Sequence, residues 1–193
     1  LRDEYPEVKI SLEIGDSEDI RKKVQDQRVD LGVVGVVCKQ PQILSEKVLE
    51  DELILIVPQN HRWPSGVTVT VQDLTEEDFI LREKGSGTRQ VLLERLKEHG
   101  VEADALHVVM ELGSTEAILT AVEAHLGISV VSRWAADKAL ALGQVREINV
   151  EGLDLKRDLF VIIHRQTLPN RALEEFQNFI SNFRINTLSQ SLS

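Results

Sequence analysis

Short β-branched runs alternate with helix-patterned stretches along this chain, and that alternation limits the possible folds more than any other feature. The runs are VKISLEI (Val8 to Ile14), DLGVVGVV (Asp30 to Val37), ELILIV (Glu52 to Val57), HVVMEL (His107 to Leu112) and GISVVS (Gly127 to Ser132). Asp16 and Ser17 are placed to cap a helix over Glu18 to Arg28, in which Ile20 and Val24 stand one turn apart. Ser114 caps Thr115 to His125, turning Ile118, Leu119 and Val122 inward. Ser132 starts a helix that ends near Gly143, and Asn170 caps one through Phe183 whose apolar stripe is Leu173, Phe176, Phe179 and Ile180. Strands that alternate with helices predict an α/β fold with parallel strands.

Two stretches interrupt the alternation. Pro58 to Asp78 is rich in turn formers, and Glu151 to Arg165 leads from a turn into a strand ahead of the last helix. Both read as crossings between lobes, and 193 residues are enough for two small ones. A net charge of −10 excludes sequence-independent attraction to nucleic-acid phosphates by this chain alone. The single cysteine, Cys38, cannot form an internal disulfide, and it follows an apolar strand, as a small buried hydrophobe does. With no signal peptide and no apolar run of about 18 residues, the chain is expected to be cytoplasmic. Its opening, LRDEYPEVKI, lacks an initiator Met and reads as the end of a helix, so a fragment of a longer protein is expected.

The turn REKGSGTRQ (Arg82 to Gln90) joins the strand-like Phe79 to Leu81 to the helical Val91 to Glu98. A nucleotide cradle fails in detail: Gln90 stands where the dinucleotide fingerprint needs its third glycine, and no Lys-Ser/Thr ending follows. Two readings remain. The hydroxyls of Ser86 and Thr88 cap their own helix, or they join the backbone N–H groups of Gly87 and Thr88 in holding a small anion at the positive helix end. Repetition favours the second, because Gly15-Asp16-Ser17 and Gly113-Ser114-Thr115 make the same strand-to-helix turn.

Nothing in the sequence demands catalysis. His61, His99, His107, His125 and His164 lack zinc-site spacing, so no metal or other cofactor is expected. Ser86 does not fit a hydrolase elbow. The carboxylate runs LEDEL and LTEEDF read as solvated faces, and Trp63 and Trp134 as packing residues.

The ordered set YPEVKISLEIGDSEDIRKKVQDQRVDLGVVG, LEDELILIVPQNH, LREKGSGTR and ELGSTEAILTAVEAHLGISVVS resembles the effector-binding domain of LysR-type transcriptional regulators over nearly the whole chain. The resemblance implies a fold like type II periplasmic binding proteins, with two α/β lobes joined by two crossover segments. Lobe I would comprise residues 1–78 and 159–193, and lobe II residues 79–158. A small effector, often an anion or carboxylate, is implied in the cleft. Gly15, Asp16, Ser17, Ser86, Gly87, Thr88, Ser114 and Thr115 are its expected contacts, and Gly35 and Val36 its expected walls. The family further implies a homodimer or homotetramer that meets promoter DNA through an N-terminal winged helix-turn-helix, which this chain does not carry. The first strand and ligand turn of lobe I are likewise expected to precede it. Asp16 departs from the uncharged hydroxyl of many relatives and would oppose an anion. The rivals are a transporter's solute-binding protein, which shares the fold, and an enzyme of similar fold, whose catalytic Thr or Asp context is not found.

Overall fold

The computed structural model describes residues 9–167 together with 171, 173–176 and 179. The chain divides into two compact units, residues 1–49 with 158–193 and residues 50–157. The boundary thus falls at Leu49/Glu50 rather than near residue 78. Pro58 to Asp78, expected to be a crossing, belongs to the second unit, where Trp63, Val69, Val71 and Leu74 are buried in its core. The chain passes between units inside two strands, β2 (Ile43–Pro58) and β8 (Lys156–His164).

In the first unit, α1 (Ser17–Gln25) packs Ile20 and Val24 against Val34, Cys38, Ile43 and Ile162. The strand β1 (Gly32–Val34) pairs antiparallel with β8, which also bonds to β2. A Cβ on Gly32 would meet Ile20 Cγ2 at 2.5 Å, so glycine there permits the close approach of helix to strand. The strand expected over Val8 to Ile14 is not formed in residues 9–14, and Val8 lies outside the described residues. Ile10, Leu12 and Ile14 keep the period of two but are 65%, 84% and 82% exposed. A period shows how side chains would alternate; it does not provide the neighbouring strand that backbone groups need. Residues 171, 173–176 and 179 are helical, and the rest of the helix expected through Phe183 lies outside the described residues.

In the second unit, β2 pairs antiparallel with β6 (Ser129–Ser132) and with β7 (Val145–Val150), and β7 runs parallel to β3 (Thr68–Val69). Leu53, Leu55 and Val57 face one core with Leu92 and Leu96 of α2 (Gly87–Glu98). Ile54 and Ile56 face another with Ile118 and Val122 of α3 (Thr115–Glu123) and Ala136 of α4 (Arg133–Ala141). Burial on both faces explains why Leu53 to Val57 is apolar without interruption. β4 (Asp78–Arg82) and β5 (His107–Leu112) are parallel, and Phe79 bridges Ile128 in the same sense. The expected parallel strands are therefore present at this core, beside antiparallel ones.

Candidate functional site

Parallel pairing brings three helix starts to one end of the second unit. β4 leads through the Glu83–Ser86 turn into α2, β5 leads through Gly113 into α3, and β6 runs directly into α4. Each helix begins with N–H groups that have no partner inside the helix.

The three starts differ chemically. At α3, Ser114 Oγ accepts from the Ala117 amide at 3.1 Å, the capping role read from the sequence. At α2, Ser86 holds the cap position and is 3% exposed, yet its hydroxyl makes no capping bond. Thr88, 6% exposed, accepts on Oγ1 from Arg157 Nη1 at 3.0 Å. Neither hydroxyl of this turn therefore caps α2. The first turn of α2 has no acidic residue, so its positive end keeps its pull on an anion. At α4, Ser132 Oγ donates to Asp51 Oδ1 at 2.7 Å.

Charged groups link these starts. Arg82, last residue of β4, donates from Nε and Nη2 to the Glu83 carboxylate, both at 2.7 Å, and from Nη1 to Thr115 Oγ1 at 2.9 Å. Arg89 Nη1 donates to the Arg82 carbonyl at 2.9 Å and pairs with Glu111. Asp51, 1% exposed, accepts on Oδ2 from Arg157 Nε and Nη2 at 2.8 and 2.7 Å. Ser86, Gly87, Thr88, Ser114 and Thr115 thus share one end of the second unit.

The other expected residues belong to the first unit. Asp16 caps α1, its Oδ1 accepting from the amides of Glu18 and Asp19, both at 2.8 Å. Ser17 Oγ accepts from the Gly35 amide at 3.3 Å, which joins the α1 start to the exit of β1, where Val36 follows. Gly15 is exposed just ahead of the cap. This start carries Glu18 and Asp19 in its first turn, so its helix end is already compensated by negative charge.

The LEDEL run, read as a solvated face, is corrected at Asp51, a buried carboxylate neutralised by Arg157. Arg82 and Arg157 also went unmarked by the sequence. For Arg82 the one signal was an arginine ending a strand beside the expected anion turn, whereas Arg157, near the start of β8 and 69 residues from Thr88, gave none. Trp63 is buried as expected, whereas Trp134 is 49% exposed. Among the described residues, no group of three or more His, Cys, Asp or Glu is arranged to hold a metal ion, and no helix is long and apolar enough to cross a membrane.

The sequence profile of the LysR substrate binding domain matches residues 1–184, and the chain belongs to this family. It is 38% identical over 178 residues to YeiE of Escherichia coli K12, an uncharacterized HTH-type transcriptional regulator, covering 92% of this chain and 59% of that protein. The chain thus spans about three fifths of the length of such relatives. It is similar to the CcmR regulatory domain of Synechocystis PCC6803, solved in complex with 2-PG, with 26% identity and a TM-score of 0.84 over 95% of this chain and 86% of that one. The effector binding domain of QuiR, solved in complex with shikimate, shares the fold at 17% identity and a TM-score of 0.82, over 95% of this chain and 85% of that one.

Proposed function

We propose that this chain is the ligand-sensing part of a cytoplasmic, homo-oligomeric transcriptional regulator, without catalytic activity, and that its ligand is a small anion. Ser86, Gly87, Thr88, Ser114 and Thr115 receive it in the second unit. Promoter DNA is met through a helix-turn-helix outside this chain.

The Ser86–Thr88 turn carries the reading. It has two buried hydroxyls and an acid-free helix start, and neither hydroxyl caps the helix. Because Arg157 donates to Thr88 Oγ1, the Thr88 proton must be donated elsewhere, which suits an acceptor such as a carboxylate or phosphate oxygen. The likeness to a domain solved with 2-PG supports a small effector, and shikimate, held by a protein of the same fold, is a carboxylate. Gly15 and Asp16 shape the start of α1 in the first unit, where the Asp16 carboxylate is already occupied as a cap.

A thermal-shift screen of small anionic metabolites against their neutral analogues tests this. A ligand at one hundred times its Kd stabilises by about 2.7 kcal/mol. Replacing Ser86 and Thr88 by Ala should abolish that shift. A parent-like shift in the double variant refutes the site.

A further inference from the structure

The Asp51–Arg157 pair occupies an unusual place in the chain. Arg157 is the last residue of the second unit before β8 passes into the first, and Asp51 lies two residues inside the second unit on β2, the other strand that crosses. The two strands are neighbours in one sheet, and just ahead of β8 the Leu53 amide donates to the Leu155 carbonyl at 3.1 Å. On the first-unit side of the same boundary, Lys47 of β2 pairs with Asp158 of β8, with the charges exchanged between strands. That pair is exposed, at 42% and 39%, and contributes little. In the Asp51–Arg157 pair the carboxylate is buried, at 1%, and the guanidinium is 14% exposed, with two nitrogens on Asp51 Oδ2.

Arg157 does more than neutralise Asp51. Its remaining arm, Nη1, holds Thr88 Oγ1 in the first turn of α2, while Asp51 Oδ1 accepts from Ser132 at the start of α4. Two helix starts are therefore fastened, through one ion pair, to both strands at the point where they leave the unit. We propose that Arg157 is a positioning residue that couples the Ser86–Thr88 turn to the strand crossings, so that occupancy of the turn is felt where the chain passes to the first unit. A ligand oxygen accepting the Thr88 proton makes Thr88 Oγ1 a better acceptor for Arg157, because hydrogen bonds in a chain reinforce one another. The fork is required: a lysine ammonium keeps the charge but cannot hold Asp51 and Thr88 in one fixed plane.

This proposal rests on the anion site above in taking Thr88 as a ligand contact. Its test uses the whole chain without ligand, so the two readings fail separately: an absent site shows as no ligand-induced shift, and absent coupling shows here. Amide hydrogen exchange is followed in segments 49–53 and 155–158, with Ile80 of β4 as reference. Thr88→Val and Arg157→Lys should each speed exchange in both segments by about tenfold, within the range over which local opening varies. Ile80 should keep its parent rate. Thr88→Ser, which restores the hydroxyl, should restore parent exchange, and Thr88→Val combined with Arg157→Lys should exceed Arg157→Lys alone by nothing measurable. If Arg157→Lys fails to fold, Thr88→Val against Thr88→Ser decides alone. Exchange that rises only in residues 87–90, rises equally at Ile80, or adds in the double variant overturns the coupling.

Discussion

Arg82 Nη1 donates to Thr115 Oγ1 at 2.9 Å, joining the last residue of β4 to the first residue of α3. The same guanidinium holds the Glu83 carboxylate with Nε and Nη2. It therefore fixes one helix start of the proposed anion site relative to the turn that leads to another. Thr115→Val removes the acceptor and should cost about 1 kcal/mol of stability, read by urea denaturation. It should also weaken binding of an anion selected by thermal shift about tenfold in calorimetric titration. Loss of stability with unchanged affinity would give Thr115 a purely structural role.

Asp51 and Arg157 depend on one another. Asp51→Leu leaves a guanidinium without its buried carboxylate and should destabilise by about 3–5 kcal/mol in urea denaturation. Asp51→Leu with Arg157→Met should cost less than the sum of the single changes. Additive losses would mean that the two charges do not interact across the strands.

Gly127 has φ +152°, and a Cβ there would meet the Asp78 carbonyl oxygen at 2.5 Å. The clash falls on backbone at the bridge between Phe79 and Ile128, where the Ile128 amide donates to that same carbonyl. Gly127→Ala should therefore lower stability by about 1–3 kcal/mol, measured by thermal or urea unfolding. Gly66→Ala, also at positive φ but with nothing within 4 Å, should cost less.

His61 gives the fold a specific pH dependence. The Trp63 amide donates to its Nδ1 at 3.2 Å, so the ring proton lies on Nε2, which faces Glu77 Oε2 at 3.3 Å. Burial is the largest influence and lowers the pKa below the usual 6.5, against the opposing pull of Glu77; Arg62 and Arg146 lower it further. The unfolded chain then binds the proton more readily. The stability contributed by neutral His61 is fully present above 6.5 and is lost as pH falls from 6.5 through the lowered folded value. Melting temperatures between pH 8 and pH 5 should fall less steeply in His61→Gln than in the parent. Equal slopes would remove His61 from the acid response.

Local chemistry was legible in the sequence and pairing across distance was not. The strand–turn–helix from Phe79 to Glu98 follows its composition closely, because an apolar run, a glycine-spaced turn and a helical repeat are each set by near neighbours. The caps at Asp16 and Ser114 follow for the same reason. Val8 to Ile14 has the pattern of a strand, but pairing depends on a partner elsewhere. The first half of β2, from Ile43 onward, mixes polar and charged residues into its strand and so shows no uninterrupted apolar run. At the site, small hydroxyl and glycine residues announced the turns. Asp51 looked like one more surface carboxylate, because Arg157, 106 residues away, is what makes its burial tolerable.

The most direct measurement is amide NMR of the 15N-labelled chain titrated with an anion chosen by thermal shift. Saturable shifts should concentrate at Gly87, Thr88 and Thr115, with the neutral analogue of the same ligand leaving those amides unmoved. Saturable shifts that leave the α2 and α3 starts untouched, or an equal response to the neutral analogue, would contradict the anion site.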